Sequence, residues 1–266
     1  MKIIIIIDET NFYHPKFIYS VYKKLIKKNF KIKVGIVTKI KTSNSIENYL
    51  RKNIKKLYLK EIFLLGIKKV FFTATNKIFK KFNIFFSVKS VCEKFNIESF
   101  LIEYDINQPL YLKRIKSFKP DIILSSCSVI FSEKILKIPK YGCINRHTSL
   151  LPSYGGLYPV FHSIADNQKY SGVTIHKMTK KIDDGEILAQ RKIYNVDNNL
   201  SKIYKKGFEI SSDLILKSLS NLLKKKYKKK NIKKSIFLFQ MMKDGENSEK
   251  TTANLSKIVI LIYSIT

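Results

Sequence analysis

The stretch KIIIIID, Lys2 to Asp8, carries five consecutive isoleucines near the start of the chain. Branched side chains of this kind favour extended backbone. An unbroken apolar run, unlike an alternating one, is typical of a strand buried on both faces, as in a parallel sheet covered by helices. The run is too short for a signal peptide or a membrane span. We therefore interpret it as a central strand.

Further apolar runs of similar length alternate with helix-length segments along the first two-thirds of the chain. The runs are KVGIVTK (Lys33 to Lys39), KVFFTA (Lys69 to Ala74), SFLIE (Ser99 to Glu103) and DIILSSC (Asp121 to Cys127). The predicted helices are Pro15 to Lys28, Ser45 to Leu65, Phe79 to Phe95 and Gln108 to Phe118. This alternation predicts parallel βαβ units in a doubly wound sheet, whose ligands bind at the carboxyl ends of the strands.

The pattern changes after a further strand that ends near Ile144. GVTIHKM (Gly172 to Met178) and ILAQRKIYNV (Ile187 to Val196) alternate more clearly and predict an antiparallel addition. Asn199 to Leu223 is a predicted helix. The run KKKYKKKNIKK, Lys224 to Lys234, is interpreted as a solvated face or a loose tail.

Composition indicates a globular protein with an unusual charge. The chain has 266 residues, 45% of them hydrophobic and 12% aromatic, and a formal net charge of +31. Nearly all of the positive charge is lysine, since the arginines are only Arg51, Arg114, Arg146 and Arg191. An AT-rich coding sequence is the better explanation for the abundance of Lys, Ile, Asn and Phe. We expect non-specific attraction to nucleic acids through lysines as a side effect of that composition.

Several kinds of site are absent from the sequence. The three cysteines have no CxxC spacing, and an odd number predicts reduced thiols in a cytoplasmic protein. The four histidines lack metal-ligand spacing, so we predict no metal site. The sequence contains no GxGxxG, no Walker loop and no GxSxG, and a dinucleotide or nucleoside triphosphate cradle is not predicted.

The segment NRHTSLLPSYGG, Asn145 to Gly156, contains the residues best suited to chemistry. In extended backbone, Asn145 and His147 share one face and Arg146 takes the other. An amide that binds a developing oxyanion, beside an imidazole that moves a proton, suits acyl transfer. The alternative is that Asn145 caps a turn and His147 packs beneath it, and these residues alone leave both interpretations open.

The segment KKIDDGEIL, Lys180 to Leu188, places two carboxylates before a glycine. Such a turn can bring one acid toward the strand end, where it would hold His147 protonated or orient it with a water. On its own, the segment is better interpreted as an ordinary Asp-Asp-Gly hairpin turn.

Together these motifs resemble the 10-formyltetrahydrofolate-dependent formyltransferases, a family that includes methionyl-tRNA, glycinamide ribonucleotide and sugar N-formyltransferases. The matching elements are Asn-x-His-x-Ser-Leu-Leu-Pro, the following glycines, Gly172-Val173-Thr174 and Asp183-Asp184-Gly185. The resemblance implies an α/β Rossmann-like formyltransferase fold, with a mostly parallel sheet flanked by helices and a short Lys-rich C-terminal extension. We expect a catalytic domain over 1–200, and a C-terminal helix and Lys-rich tail over 201–266.

The resemblance also implies roles for individual residues. Asn145 would bind the formyl oxygen, His147 would act as general acid/base, and Asp183 would tune His147 and order a water. The predicted folate-pocket residues are Ser149, Leu150, Leu151, Pro152, Ser128, Val129 and Phe131. The donor would be 10-formyltetrahydrofolate and the acceptor a primary amine, with a small nucleotide- or sugar-linked amine favoured. His14, His162 and His176 are interpreted as structural.

Two features depart from the family pattern. Arg146 replaces a residue that is usually apolar, and we expect it to need an acid partner or solvent. The region after Lys226 is short for the barrel-like domain of methionyl-tRNA formyltransferase, and strand one begins too early for the extra domain of a deformylase.

The alternatives to a small amine acceptor are action on initiator tRNA, or a basic RNA-binding protein on the same scaffold. Few arginines, and no RRM, KH or zinc-knuckle motif, count against the latter.

Overall fold

A computed structural model describes residues 1–10, 13–38, 82–195 and 199–223 of the chain. The strands in these ranges are β1 (Lys2–Asp8), β2 (Lys31–Val37), β3 (Glu98–Ile102), β4 (Ile122–Ser126), β5 (Cys143–His147), β6 (Tyr170–Lys177) and β7 (Ile187–Tyr194). The helices are α1 (His14–Ile26), α2 (Val88–Lys94), α3 (Pro109–Phe118), α4 (Glu133–Leu136), α5 (Pro159–Ala165) and α6 (Leu200–Leu223).

The strands form a seven-stranded sheet in the order β3-β2-β1-β4-β5-β6-β7. Strands β1 to β5 are parallel, while β6 runs antiparallel to β5 and β7 antiparallel to β6. The predicted α/β fold with a mostly parallel sheet and an antiparallel addition is therefore confirmed. Strand β5, where the direction changes, carries Asn145 and His147.

The isoleucine run lies at the centre of the sheet, as its sequence predicts. Strand β1 pairs with β2 on one side and β4 on the other, and no side chain from Ile3 to Ile7 is more than 1% exposed. Ile3, Ile5 and Ile7 pack in one core with residues of α1, α2 and α6. Ile4 and Ile6 pack in a second core with residues of α3 and α4. Each face of the strand is thus covered by helices, which explains why the run does not alternate.

Helix α6 closes the first of these cores. Its residues Phe208, Leu214 and Leu219 join the core beneath α1. Polar contacts fix the two helices together, since Lys24 Nζ lies 2.9 Å from Ser212 Oγ and 2.5 Å from Asp213 Oδ1. The helix therefore covers the side of the sheet opposite α3 and α4.

Most predicted elements within the described ranges lie within two residues of their observed bounds. One boundary was wrong: the helix predicted over Phe79 to Phe95 begins only at Val88. Ser87 stops it from starting earlier, because this residue is extended and its Oγ accepts a hydrogen bond from the Ser90 N–H at 3.0 Å. The Glu9 carboxylate also accepts from the Val88 N–H at 2.7 Å.

Three other predicted segments lie outside the described residues. These are the helix Ser45 to Leu65, the strand Lys69 to Ala74 and the lysine run Lys224 to Lys234. In the part of the chain that the structure covers, no helix has both the length and the hydropathy needed to cross a membrane.

Candidate active site

Strand β5 sets the candidate catalytic residues at the carboxyl edge of the sheet. Its backbone alternates as predicted, so Asn145 and His147 border a cavity while Arg146 lies on the reverse face. Antiparallel pairing places Asn145 opposite His176 of β6, and His147 opposite Thr174. The pairing therefore brings a second histidine, His176, to the same edge.

The Asp-Asp-Gly turn brings the first of its two acids back to this edge. Asp183 has a φ of 50°, in the left-handed region that Asp and Asn tolerate better than most residues. At Gly185, a β-carbon would overlap the carbonyl oxygen of Lys177, so only glycine lets the chain pass this close to the end of β6. The second acid, Asp184, points elsewhere and lies 3.8 Å from Lys181 Nζ.

Asp183 stands between the two imidazoles. Its Oδ2 lies 3.4 Å from His147 Nδ1, and its Oδ1 lies 3.4 Å from His176 Nε2. The N–H of Gly156 donates a hydrogen bond to Oδ2 at 2.7 Å. Asn145 completes the cluster, because its Nδ2 lies 3.4 Å from His176 Nε2. Asn145, His147 and Asp183 are thus brought together as the motifs predict, with His176 as a fourth member.

The hydrogen-bond partners indicate where protons sit in the cluster. His147 Nε2 lies 2.8 Å from the carbonyl oxygen of Tyr154, and His176 Nδ1 lies 2.8 Å from that of Lys177. Because a carbonyl oxygen only accepts, each of these nitrogens carries the proton. The other nitrogen of His147, Nδ1, faces Asp183 and carries a proton only when the ring is charged. His147 Nδ1 is therefore a position at which this site can take up a proton.

Asp183 is held ionised in this cluster. Burial alone would raise its pKa, but the contact with His176, the proximity of His147 and the hydrogen bond from the Gly156 N–H together lower the pKa of Asp183 to about 2. The carboxylate therefore bears its charge throughout the neutral range and attracts any proton that reaches His147.

The protonation state of His147 differs from the expectation that Asp183 keeps this residue protonated. Burial lowers the pKa of His147 below its usual value of 6.5, and the opposing pull of Asp183 and the Tyr154 carbonyl does not fully offset this effect. The imidazole is therefore neutral at pH 7 and is suited to accept a proton first, as a general base.

A cavity of about 360 Å³ opens beside this cluster. It is bordered by Asn145, His147, His176 and Asp183, by the segment that follows β4, and by the loop after β6. Of the predicted pocket residues, Ser128, Val129 and Phe131 line it. The cavity lies at the carboxyl edge of the sheet, where ligands of open α/β folds bind.

The other predicted pocket residues, Ser149 to Pro152, are not among those lining this cavity. They instead join the loop to the sheet: the N–H of Leu151 donates to Thr174 Oγ1 at 3.2 Å, and Gln190 Nε2 donates to the carbonyl of Leu151 at 2.8 Å. The Leu150 side chain packs against Gly172, where a β-carbon would collide with it. In this structure the Ser-Leu-Leu-Pro segment therefore supports the site from behind.

Arg146 has neither of the partners expected from its sequence. In the described residues no carboxylate contacts its guanidinium, which is only 7% exposed. It donates to Ser211 Oγ at 2.8 Å and Thr148 Oγ1 at 3.2 Å, and its Cζ lies 3.7 Å from the ring centre of Phe208. Burial lowers the pKa of Arg146 to about 9, which leaves it charged at neutral pH. An aromatic face and two hydroxyls replace the acid and the solvent.

His176 is the member of the site that sequence reasoning missed. It stands within an alternating strand, where a histidine is more often structural than functional. Its pairing with Asn145 across two antiparallel strands, 31 residues apart, was the missing information.

Among the described residues, no group of three or more His, Cys, Asp and Glu side chains is arranged to hold a metal ion.

A family model for formyl transferase matches residues 70–218, more than half of the chain. The chain belongs to the formyl transferase family. The matched range includes every residue of the cluster described above. It also ends within α6, so the part of the chain that matches formyl transferases extends beyond the antiparallel strands.

Curated formyl transferases are similar in sequence to this chain over part of their length. The chain is 42% identical over 155 residues to the bifunctional polymyxin resistance protein ArnA of Wigglesworthia glossinidia brevipalpis, covering 58% of this chain and 23% of that protein. It is 36% identical over 138 residues to methionyl-tRNA formyltransferase of Thermotoga maritima, covering 51% of this chain and 44% of that protein. The chain thus spans less than half the length of either relative.

Solved formyl transferase structures share the fold. Phosphoribosylglycinamide formyltransferase from Bacillus halodurans aligns with a TM-score of 0.57 and 16% identity, covering 85% of this chain and 96% of that one. A sugar N-formyltransferase from Shewanella sp. FDAARGOS_354 aligns with a TM-score of 0.53 and 18% identity, covering 86% and 72%. The predicted Rossmann-like formyltransferase fold is confirmed.

Proposed function

We propose that this protein transfers the formyl group of 10-formyltetrahydrofolate to a primary amine. The observation that carries the proposal is the convergence of Asn145, His147 and Asp183 on one cavity, in a chain of the formyl transferase family. The cavity volume falls in the range of about 300–1,000 Å³ that is usual for small-molecule sites. Its buried polar end and apolar rim fit a donor built from a polar ring system and an aromatic ring.

Each residue of the cluster has a task in this reaction. The amine nitrogen bonds to the formyl carbon, and the Asn145 amide donates a hydrogen bond to the oxygen that becomes negative. Neutral His147 accepts the proton that the amine loses, at Nδ1, and ionised Asp183 stabilises the resulting imidazolium. The bond from the formyl carbon to the donor nitrogen then breaks, and that nitrogen receives the proton. The formyl group supplies the electrophile, and no redox step occurs.

The finer proposal is that the acceptor is a small amine attached to a nucleotide or a sugar. The solved structures of similar fold include a sugar N-formyltransferase and a phosphoribosylglycinamide formyltransferase, whose names indicate acceptors of this kind. A second candidate is the amino group of methionyl-tRNA, which is favoured by the names of several curated relatives and by the net charge of +31. We propose a cytoplasmic location for either activity.

The test is release of tetrahydrofolate from the donor in the presence of a panel of acceptors: sugar-linked amines, nucleotide-linked amines and methionyl-tRNA. Asn145→Ala and His147→Ala serve as matched inactive variants. Loss of one oxyanion donor elsewhere costs about 10²-fold or more in turnover, and we expect the same for Asn145→Ala. Turnover close to wild type in both variants would exclude this site as the catalytic one.

A further inference from the structure

Two tyrosine rings lie side by side on the surface where β6 begins and β7 ends. Tyr170 and Tyr194 are paired across these antiparallel strands, and their ring centres lie 5.7 Å apart with an angle of 71° between the ring planes. The two residues are 41% and 55% exposed, although folding usually buries most of the apolar area of an aromatic ring. Two adjacent rings this open to water indicate a surface that another flat ring can cover.

Lysines surround this pair of rings. Lys169 Nζ lies 5.7 Å from the centre of the Tyr170 ring and 5.9 Å from that of Tyr194. Lys192 Nζ lies 5.3 Å from the centre of the Tyr170 ring. A cation over an exposed ring contributes only about 0.5–1 kcal/mol, whereas a nucleobase stacked on such a ring contributes about 1–3 kcal/mol. A base can therefore displace either ammonium group, which then stays close enough to contact a phosphate.

The positive charge continues from the rings into a groove between β7 and α6. The groove has a volume of about 570 Å³, and Lys192 and Tyr194 belong to its lining, so it is continuous with the surface around the rings. Among the described residues that line the groove there is no aspartate or glutamate. The other lining residues are three cations and three buried isoleucines: Arg191, Lys202, Lys206, Ile193, Ile203 and Ile210.

The chemistry of this surface selects among possible occupants. Strand β7 is the last strand of the described sheet, and a second copy of the chain pairing along it would bring the cations Arg191 and Lys192 against like charges. An acidic peptide would neutralise the cations but would supply no flat ring for the tyrosines. A chain that carries negative charges and flat rings at regular intervals satisfies both parts of the surface.

We propose that the surface formed by Tyr170, Tyr194 and the adjoining cations binds a single-stranded nucleic acid. Bases stack on the two rings, and phosphates of the same strand contact Lys169, Lys192 and the cations of the groove. The surface has little sequence preference, because every base can stack. None of its residues lines the cavity beside His147, so the bound strand is distinct from the formyl acceptor and needs no amine.

The experiment measures binding of fluorescein-labelled oligouridine to the full chain by anisotropy at several salt concentrations. A length of about twelve nucleotides falls in the range of site sizes known for single-strand binding surfaces. Tyr194→Leu and Tyr170→Leu should each weaken binding by about fivefold or more, the effect of losing one stacked base. Tyr194→Phe keeps the ring and should retain binding. Lys192→Gln should weaken binding and reduce the salt dependence by about one ion.

A second tyrosine and lysine supply matched controls. Tyr141 is 37% exposed, Lys140 Nζ lies 5.2 Å from the centre of its ring, and Lys140 borders a different concavity. Tyr141→Leu and Lys140→Gln therefore remove the same groups from another part of the surface, and both should leave the affinity for oligouridine unchanged. Melting temperatures establish that each variant is folded, as expected for changes at exposed side chains.

Several outcomes would contradict the proposal. Equal losses in Tyr194→Leu and Tyr141→Leu, or in Lys192→Gln and Lys140→Gln, would show that binding comes from net charge alone. A duplex or a polyglutamate peptide that binds as tightly as oligouridine would exclude stacking on the rings, because neither presents unpaired bases. Oligouridine should also leave tetrahydrofolate release by the wild type unchanged, and competition with the donor would place the strand in the catalytic cavity instead.

Discussion

His176 Nε2 lies 3.4 Å from Asp183 Oδ1, on the opposite oxygen from the one that faces His147. Asp183 therefore has one oxygen for each imidazole, and a rotation of the carboxylate that improves one contact weakens the other. The Gly156 N–H limits that rotation further, because it donates to the oxygen that faces His147. The two histidines and the glycine together determine how Asp183 presents its charge.

His176→Ala should lower turnover by about tenfold or more, although His176 is a positioning residue rather than the base. Loss of the contact between His176 Nε2 and Asp183 Oδ1 frees Asp183 to rotate and should raise the pKa of that carboxyl. The measurement is kcat together with KM for the donor, and we expect the change mainly in kcat. His162→Gln is the control, since His162 lies on α5 and does not line the cavity. Equal effects of the two variants would contradict the role given to His176.

Asp183→Asn and Asp184→Asn should differ sharply. Both keep a side chain that suits the turn, but only Asp183 contacts the histidines, whereas Asp184 faces Lys181. We expect Asp183→Asn to lose about two orders of magnitude or more in turnover with folate binding mostly retained, because the imidazolium loses its counter-charge. Asp184→Asn should have a mild effect. The reverse order of severity would show that the wrong acid has been assigned.

The pH dependence of kcat/KM should report a neutral base. Since burial lowers the pKa of His147, the acid limb should lie below pH 6.5, and activity should fall as pH falls through that pKa. In Asp183→Asn the attraction that raises this pKa is gone, so the limb should move to still lower pH. Measuring both proteins with one acceptor cancels the titration of the acceptor. A limb that moves to higher pH in the variant would contradict the assignment.

The central sheet could be predicted from sequence because a strand buried on both faces has an unbroken apolar sequence, as Ile3 to Ile7 has. The shared face of Asn145 and His147 could also be predicted, because side chains alternate between the two faces of a strand and this alternation depends only on neighbouring residues. The position of Asp183 required the resemblance to a family. Its approach depends on Gly185 passing beside Lys177, a contact that spacing alone does not reveal.

The contacts of Arg146 could not be predicted from the sequence, because they come from a distant part of the chain. A buried guanidinium is expected to find a carboxylate, yet Phe208 and Ser211, both on a helix more than 60 residues later in the chain, supply its contacts. The helix Val88 to Lys94 shows the same dependence, because part of its N-terminal capping comes from Glu9 at the end of β1. Contacts between distant segments decided both cases.

Arg146→Met should leave stability unchanged or increase it, because a buried charge without an acid partner costs solvation that an apolar side chain of similar length does not. Arg146→Lys should destabilise the fold by about 1–3 kcal/mol, since an ammonium lacks the flat face that lies on Phe208 and the fork that reaches Ser211 and Thr148. Urea unfolding midpoints provide the comparison. Greater loss in Arg146→Met than in Arg146→Lys would show that the charge itself is required.

The contact between Arg146 and helix α6 has a consequence for how the molecule opens. Ser211 and Phe208 of that helix hold the residue that lies between Asn145 and His147, so detachment of the helix would uncover a guanidinium from beneath the catalytic strand. The backbone amides of β5 should therefore exchange with deuterium in step with those of α6, as one cooperative unit. Helix α6 therefore supports the strand that carries Asn145 and His147 from the reverse face of the sheet.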